Sequence, residues 1–216
     1  MYHGRMEEGL RERKKRETRR RIADMAMGLF MARGFEQVTV AEVARAADVS
    51  VNTVFNYFGT KEDLFLDREE EVEDLQSKVV HEREKGESVV AAFRRDFMAA
   101  IEERDWRYGL NDGSDVFARI VGDSPSLMAR FRDLEHTQTQ RLARTLAEES
   151  GAEPDDLTPH LVAAHILETT RRLSRHATAL KLAGVSWAEI RPLLIRQTEQ
   201  AFDLLERGIS DYCVRM

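Results

Sequence analysis

Amide and hydroxyl side chains gather in one short stretch of this chain, residues 51–57, which contains Asn52, Thr53 and Asn56. On a helix these three side chains share one side. An asparagine amide can hydrogen-bond the N6 and N7 edge of adenine in the DNA major groove, and an apolar side chain can contact a thymine methyl group. The residue types therefore predict base contacts by these three residues, with Val51 against a thymine methyl group.

Capping residues predict the helix that precedes this stretch. Thr39 lies three residues before Glu42, the spacing of a capping box, so a helix should begin at Val40. A tight turn follows at Ala47–Val49, where Asp48 is one of the few non-glycine residue types that tolerate a left-handed backbone. The pattern indicates two short helices joined by a tight turn.

A second set of caps bounds the stretch itself. Ser50 is an N-cap, which predicts a helix over residues 51–57, and Gly59 ends that helix. Thr60 and Asp63 then cap a further helix. A helix-turn-helix of this spacing can place the helix 51–57 in a major groove of DNA. A generic helical hairpin is the alternative that the caps alone leave open.

Polar side chains beside these helices could hold DNA phosphates. Backbone N–H groups at helix N-termini and basic or hydroxyl side chains commonly make such contacts. We expect the Thr39 cap, Tyr57 and Lys61 to hold phosphates, and we include the N-cap Ser50 among the DNA-binding residues.

Basic residues are concentrated near the start of the chain. Eight of them lie between Arg11 and Arg21, although the net charge of the whole chain is −6. Local charge decides the attraction to phosphate, because screening limits it to a Debye length of about 8–10 Å. We interpret residues 1–15 as a flexible basic arm on DNA, followed by contacts from Arg16, Arg19 and Arg20. A solvated basic helix start without a DNA role is the alternative.

Residues 16–65 together resemble the TetR family of transcriptional regulators. That family has an amphipathic first helix that ends near Gly-Phe or Gly-Tyr, followed by a conserved pattern through its helix-turn-helix. The matching residues here are Gly34-Phe35, Thr39, Val43-Ala44, Ala47-Asp48-Val49-Ser50, Thr53-Val54-Phe55, Tyr57-Phe58 and Lys61-Glu62-Asp63-Leu64. The resemblance implies an all-α protein with a three-helix DNA-binding domain in residues 16–65.

Three positions depart from the family pattern. Asp48 stands where the family usually has a turn glycine, and Asn52 replaces a glycine near the start of the recognition helix. Phe55 replaces a tyrosine, which removes a hydroxyl group that could contact a phosphate. The operator preference of relatives therefore does not carry over to this chain.

The remaining residues, 66–216, are predicted to form a second helical domain of five or six helices. Apolar spacing and caps place the first helix of the chain at 17–33 and long helices at 126–149, 158–183 and 187–207, and helix 61–85 should connect the two domains. The resemblance implies that the second domain binds a small molecule and forms a homodimer through its last two long helices.

Aromatic and polar residues of the second domain are candidates for a ligand pocket. Four of them share one helix face at i, i+3, i+4 and i+7 spacing and could offer polar contacts inside an apolar pocket. A surface charge ladder and ordinary core packing are the alternatives. The candidates are Phe93, Phe97, Trp106, Tyr108, Phe117, Phe131, His136, His165, Glu168, Thr169 and Arg172.

Apolar stripes on the last two helices are the candidate dimer surface. A long apolar face on a terminal helix needs a partner surface, although packing within its own domain would also satisfy it. The residues are Val162, Ile166, Leu173, Trp187, Ile190, Leu194, Ala201 and Leu205.

Composition excludes several other classes. The single cysteine, Cys213, cannot form an internal disulfide, which fits a reducing cytosol. No apolar run approaches the roughly 18 residues of a membrane span. The chain has no phosphate-binding glycine loop and no nucleophile elbow, and Asp133-x-x-His136 lacks the second copy that a di-iron site needs.

We therefore expect a cytoplasmic, dimeric, ligand-responsive DNA-binding regulator, a repressor, that binds a palindromic operator and an unidentified small-molecule effector. No enzymatic activity, metal or other cofactor is expected. Two alternatives remain open. One is an activator or architectural DNA binder without a ligand, and the other is a small-molecule-binding helical protein whose helix-turn-helix is vestigial.

Overall fold

The computed structural model describes the backbone of residues 10–209 and the side chains of residues 12–67 and 75–208. Within this range the chain folds into α-helices and one short 3-10 helix, Trp106–Tyr108, without a strand, which confirms the all-α prediction. The α-helices are α1 (Leu10–Arg33), α2 (Val40–Ala46), α3 (Val51–Tyr57), α4 (Lys61–Phe65), α5 (Asp67–His81), α6 (Val89–Glu103), α7 (Ser114–Asp123), α8 (Pro125–Ser150), α9 (Thr158–Leu182) and α10 (Trp187–Ile209).

The predicted caps form around α2. The Thr39 hydroxyl accepts a hydrogen bond of 3.2 Å from the Glu42 backbone N–H, and the Glu42 carboxylate accepts one of 2.8 Å from the Thr39 N–H. Asp48 then adopts φ 53°, the left-handed turn conformation that its residue type allows. Local hydrogen bonding thus sets the start of α2 and the turn into α3.

The caps of α3 and α4 are equally local. The Ser50 hydroxyl accepts a hydrogen bond of 3.0 Å from the Thr53 N–H. Thr60 and Asp63 form a reciprocal capping box, with both hydrogen bonds at 3.0 Å. These bonds satisfy N–H groups at helix starts that would otherwise lack partners.

The first helix is longer than predicted. It begins at Leu10 rather than at Glu17, so residues 10–15 are helical and the predicted flexible arm is wrong for them. This stretch contains only residues with good helix propensity and no glycine or proline. Residues 1–9 of the predicted arm lie outside the described residues.

The predicted connecting helix, 61–85, is broken at Leu66. Leu64, Phe65 and Leu66 are all at most 2% exposed. A straight helix cannot point three successive side chains toward one core. The chain therefore ends α4 at Phe65 and begins α5 in a new direction at Asp67.

An N-terminal core joins α1–α4 to the next domain. Phe30, Phe35 and Phe65 pack with ring centroids 5.2–5.7 Å apart. Side chains from α7 and α8 belong to the same core, namely Ile120, Val121, Leu127 and Leu134. The N-terminal domain is therefore continuous in its packing with α7 and the first half of α8.

A C-terminal core fills the space between α5, α6, α8, α9 and α10. Its fully buried side chains include Phe93, Phe97 and Phe202. The three long helices begin and end within two residues of their predicted bounds, because the glycine, proline and capping signals between them are local. No helix in the described range is long and apolar enough to cross a bilayer. Within the described residues, no group of three or more His, Cys, Asp or Glu side chains is placed to hold a metal ion.

Candidate DNA interface and ligand cavity

One face of α3 is open to solvent, and we call it the reading face: Val51, Asn52, Phe55 and Asn56. Both asparagines are exposed, and the apolar side chains are 39% (Val51) and 48% (Phe55) exposed. The residues lie at i, i+1, i+4 and i+5, so they form one continuous surface. The structure therefore brings three of the predicted base contacts together and adds Phe55, which its spacing from Val51 could have revealed.

The hydroxyl groups of Ser50 and Thr53, at the start of α3, form a hydrogen bond with each other. Thr53 is half-buried, and its hydroxyl lies 2.8 Å from that of Ser50. Ser50 and Thr39 are exposed N-caps of α3 and α2. Both helix starts therefore remain open to solvent, as the predicted phosphate contacts require.

Tyr57 is the last residue of α3 and Lys61 is the first residue of α4, so both closely follow the reading face along the chain. The Lys61 ammonium lies 4.1 Å from the centre of the Phe35 ring, a cation–π contact that holds the half-buried side chain. Tyr57 is half-buried against the N-terminal core. Their place beside the reading face is compatible with phosphate contacts, and their role stays a prediction.

Arg19 is not free to make the DNA phosphate contact that the sequence predicts. Its guanidinium forms an ion pair of 2.5 Å with Asp67 and donates a hydrogen bond of 2.6 Å to the Tyr57 carbonyl. It also lies 4.5 Å from the centre of the Phe58 ring. Arg19 therefore joins α1 to the end of α3 and the start of α5. This corrects its assignment to the phosphate contacts.

Arg16 and Arg20 are exposed on α1, as a DNA contact requires. The Arg20 guanidinium lies 3.9 Å from Asp24 in an exposed i, i+4 pair. Exposed pairs of this kind are weak, so Arg20 can leave Asp24 for a phosphate.

Glu42 is the most strongly perturbed acid of the N-terminal domain. Hydrogen bonds from the Thr39 backbone and from Arg33, at 2.9 Å, lower the pKa of its carboxyl group from 4.5 to about 2. The carboxylate stays ionised at neutral pH and completes the cap of α2. It therefore fixes the helix that packs behind α3.

A cavity of about 660 Å³ lies between the N-terminal domain and the helices of the second domain. Such a volume is typical of small-molecule sites. Its apolar side is formed by Met27, Met31, Phe65, Phe117, Val121, Met128 and Phe131. Its polar side is formed by Asp96, Arg107, Asn111, Gln138, Thr170, Arg171, Ser174 and Thr178.

Four of the predicted ligand residues line this cavity. Trp106 and Tyr108 lie on the 3-10 helix, Phe117 on α7 and Phe131 on α8. The Phe117 ring stacks on Phe65 with a centroid separation of 5.0 Å and lies 6.5 Å from Phe131. The cavity wall therefore includes an aromatic side chain of α4.

Other predicted ligand residues lie elsewhere. Phe93 and Phe97 are fully buried in the C-terminal core and do not reach the cavity. His136 is exposed and does not line the cavity either.

The polar face predicted on α9 is the wrong face. His165, Glu168 and Arg172 are exposed, Glu168 and Arg172 pair at 2.7 Å, and the half-buried Thr169 does not line the cavity. The surface charge ladder, the alternative interpretation, is correct. The cavity face lies about one third of a turn away and presents Leu167, Thr170, Arg171, Ser174, Arg175 and Thr178.

Charged side chains on the polar side of the cavity are held in networks. Tyr108 donates a hydrogen bond of 2.7 Å to Asp96, and burial raises the pKa of its phenol. Arg171 donates hydrogen bonds to the Glu135 carbonyl at 2.7 Å and to Gln138 at 3.2 Å, and burial lowers its pKa. These bonds fix the polar side of the cavity.

Two polar contacts connect the N-terminal domain to α8. Arg130 donates a hydrogen bond of 2.7 Å to the Asp63 carboxylate, which also caps α4. Partial burial acts to raise the pKa of Asp63, but the hydrogen bonds from Arg130 and Thr60 act more strongly in the opposite direction. The pKa of Asp63 therefore lies below its usual value. The Ser124 hydroxyl donates a bond of 2.7 Å to Glu36. Arg130 adjoins the cavity residue Phe131, so the cavity and the α4 cap share one helix.

Most of the predicted dimer residues are buried within their own protomer. Five of them are at most 7% exposed and belong to the C-terminal core, which corrects their assignment to the dimer surface: Val162, Ile166, Leu173, Ile190 and Leu194. Trp187, Ala201 and Leu205 are half-buried against the same core. Among the described residues, the large exposed apolar side chains of α9 and α10 are instead Leu161, at 56%, Leu182, at 51%, and Leu204, at 69%.

Comparison with known proteins identifies what the chain is similar to. Residues 22–67 match the family described as "Bacterial regulatory proteins, tetR family". The chain is 32% identical over 171 residues to the HTH-type transcriptional regulator TcmR of Streptomyces glaucescens. The aligned region covers 77% of this chain and 76% of that protein.

Solved structures share the fold. The transcriptional regulator FadR of Bacillus subtilis, crystallised with stearoyl-CoA, matches 88% of this chain and 98% of its own with a TM-score of 0.52 and 19% identity. A transcriptional regulator of Rhodococcus sp. RHA1 matches 88% of this chain and 96% of its own with a TM-score of 0.51 and 20% identity. At these identities the similarity concerns the arrangement of helices.

Proposed function

This chain belongs to the TetR family of bacterial regulatory proteins, and we propose that it is a ligand-responsive, sequence-specific DNA-binding transcriptional regulator. The resemblance indicated by the motifs of residues 16–65 is thereby confirmed. In the proposed role it is a repressor that a small molecule releases from a palindromic operator. It acts in the cytoplasm, and no enzymatic step is part of the proposal.

The single observation that carries the proposal is the shared wall between the cavity and the N-terminal domain. Met27 and Met31 of α1 and Phe65 of α4 line the cavity, and Phe65 belongs to the N-terminal core that supports α3. A molecule that fills the cavity therefore contacts the domain that carries the reading face.

A ligand changes DNA binding only through unequal affinity for two states of the protein. The proposed states differ in the position of α1 and α4 relative to α7 and α8. Phe65 packs on Phe117 across this boundary, and Arg130 bonds Asp63 across it. A ligand that wedges between these groups would favour the state in which the reading faces are misplaced.

Two copies of the chain are proposed to bind one operator. A palindromic site needs two reading faces on one side of the duplex, about one helical turn or a multiple of it apart. We propose that α9 and α10 pair with their copies through the surface that bears Leu161 and Leu204, since the residues first expected there are buried in the protomer.

The experiment that tests this function is capture of genomic DNA fragments by the purified protein, at roughly physiological salt, followed by sequencing. A recovered palindrome supports sequence-specific regulation. Random fragments alone, with no enriched sequence, would contradict it. Screening a metabolite panel for release of the captured palindrome then separates a ligand-responsive repressor from a ligand-independent DNA binder.

Asn56→Ala adds a residue-level test on the recovered site. Because the exposed Asn56 amide is placed to bond a base edge, its loss should weaken binding to the specific site by about 1–3 kcal/mol and leave random DNA almost unaffected. Fluorescence anisotropy on both duplexes measures the difference. An equal loss on both would remove Asn56 from base recognition, and Glu153→Ala, in the exposed loop before α9, is the control.

A further inference from the structure

The cavity is divided into an apolar half and a polar half. The apolar half combines three methionines, Met27, Met31 and Met128, with the stacked rings of Phe65 and Phe117, whose planes differ by 17°. Thioether chains adapt their shape and contact aromatic rings favourably. Flat faces and adaptable side chains together suit a ligand made of rings.

Three of the guanidiniums in the polar half are paired with carboxylates of the protein. Arg107 lies 3.4 Å from Asp96 and 2.6 Å from Asp105. Arg171 and Arg175 both face Glu135, at 3.7 Å and 2.9 Å. A ligand anion bound to Arg107, Arg171 or Arg175 would have to displace one of these carboxylates, which would leave that carboxylate unpaired in a partly buried site.

The remaining charged groups of the wall do not change this balance. Asp112 forms an ion pair with Arg104. Arg132 is exposed, and in the part of the chain whose side chains are described no carboxylate lies within ion-pair distance of it. An exposed guanidinium is well solvated, so it offers a carboxylate little beyond what water does. The described cavity wall therefore favours an uncharged ligand.

One buried polar atom of the wall lacks a partner among the described residues. The Ser174 hydroxyl is buried and makes no hydrogen bond to any described residue. Its neighbour on the same face, Thr170, is satisfied by the Leu167 carbonyl at 3.0 Å. Buried polar atoms nearly always have a hydrogen-bond partner, so an oxygen or nitrogen of a ligand fits the position beside Ser174.

Building on the proposed function, we propose that the effector is an electrically neutral, largely apolar ring compound whose hydroxyl or carbonyl group bonds Ser174. The rings occupy the methionine and phenylalanine half. The hydrogen-bonding group points toward α9. Anionic amphiphiles such as fatty acids and acyl thioesters of nucleotides should bind more weakly, because an anion would compete with the carboxylates that already pair Arg107, Arg171 and Arg175.

Two dyes with the same aromatic framework test the charge. N-phenyl-1-naphthylamine is neutral, and 1-anilinonaphthalene-8-sulfonate adds one sulfonate group. Fluorescence titration should show saturable binding of the neutral dye, at least about tenfold tighter than that of the sulfonate. Equal or tighter binding of the sulfonate would overturn the proposal.

Ala118→Trp locates the dye. Ala118 lines the cavity from α7, so an indole there should abolish binding of the neutral dye, whereas Arg119→Trp, at an exposed position of the same helix, should not. Dye binding that persists in Ala118→Trp would lie outside the cavity and overturn the assignment. If that variant does not fold, Ala118→Leu serves the same comparison with a smaller side chain.

Ser174→Ala tests the hydrogen bond with biphenyl and 4-hydroxybiphenyl, which differ by one hydroxyl group. In displacement of the neutral dye, the variant should bind 4-hydroxybiphenyl about threefold to tenfold more weakly than the parent protein does. Biphenyl should be unaffected. An equal change for both compounds, or no change for either, would remove Ser174 from recognition.

These binding measurements do not involve DNA, so the two proposals can fail separately. Dye binding as expected, together with no compound of the metabolite panel that releases the operator, would contradict release by a ligand and leave the ligand class standing. Release of the operator by an anionic metabolite, with no preference for the neutral dye, would overturn the ligand class and leave the regulator function intact.

Discussion

At the scale of single residues, the reading face carries no charge. Its exposed side chains are two amides, Asn52 and Asn56, and two apolar groups, Val51 and Phe55. Arginine and lysine are the usual partners of guanine, asparagine is a partner of adenine, and apolar groups contact the thymine methyl. We therefore expect A·T pairs in the part of the operator half-site that the reading face contacts.

Phe55→Ala tests the apolar part of this match. Replacing a contacted thymine by deoxyuridine removes one methyl group and should weaken binding by about 0.8 kcal/mol, the value of one buried methyl. In Phe55→Ala the same DNA change should have little effect, since the contact is already lost. Anisotropy titrations of both proteins on both duplexes measure the coupling, and strictly additive losses at every thymine would contradict a Phe55–methyl contact.

Arg19→Ala separates a structural arginine from a phosphate contact. Arg19 pairs with Asp67, which is only 12% exposed, and bonds the Tyr57 carbonyl. Its loss should lower the free energy of unfolding by about 1–3 kcal/mol, because charge-assisted bonds in a partly buried place are lost. Thermal and urea unfolding measure this change.

Arg20→Ala is the matched control on the same helix. Arg20 is exposed and makes only a 3.9 Å pair, so its loss should change stability by less than about 0.5 kcal/mol. If it contacts a phosphate, the salt dependence of DNA binding should become shallower by roughly one unit. Equal stability of the two variants would contradict the role given to Arg19.

At the scale of elements, α2 depends on an ionised cap. The pKa of Glu42 is lowered from 4.5 to about 2 by its bonds to Thr39 and Arg33. A carboxyl group whose folded pKa is depressed stabilises the fold above its unfolded pKa, and this contribution is lost as pH falls through the folded pKa. Glu42 therefore stabilises the protein above about pH 4.5 and ceases to do so as pH approaches 2.

Glu42→Gln tests this dependence. The variant should be less stable than the parent at pH 7. The difference should shrink as pH falls from 4.5 toward 2, because Glu42 of the parent becomes protonated over this range whereas the glutamine amide is neutral at every pH. Urea unfolding over this pH range gives the measurement, with Glu148→Gln at an exposed position of α8 as the control. A constant difference at every pH would show that ionisation of Glu42 is not involved.

The helices also show which parts of the fold can be predicted from local sequence. Caps such as Thr39 and Ser50 bond residues three positions away, so the sequence predicts α2 and α3 correctly. The break at Leu66 arises because three successive side chains enter one core, a tertiary effect that no local pattern contains.

The cavity illustrates the same limit. Residue type alone predicts Trp106, Tyr108, Phe117 and Phe131, all of which line the cavity, but α9 is amphipathic enough to offer two polar faces. Only its packing against α8 selects the one with Thr170 and Ser174. The buried dimer candidates failed for the same reason, because an apolar stripe does not reveal which partner covers it.

At the scale of the whole molecule, the proposed pairing surface on α9 and α10 would bring two reading faces together. The four-residue connection 183–186 makes these helices antiparallel neighbours. The start of α9 therefore lies near the end of α10, which brings the exposed Leu161 and Leu204 to the same end of the pair. Covering such side chains with a second copy removes apolar surface from water, at about 25 cal/mol per Å².

Leu161→Glu combined with Leu204→Glu should therefore convert the proposed dimer into a folded monomer, because the carboxylates of two copies would face each other in the proposed interface. Sedimentation velocity measures the mass, and circular dichroism should show unchanged helicity. Met25→Glu, at a 45% exposed position of α1, is the matched control and should remain dimeric. A double variant that still sediments as a dimer would place the interface elsewhere. A monomeric variant should also lose most of its operator affinity while each reading face remains intact, since one chain then contacts only one half-site.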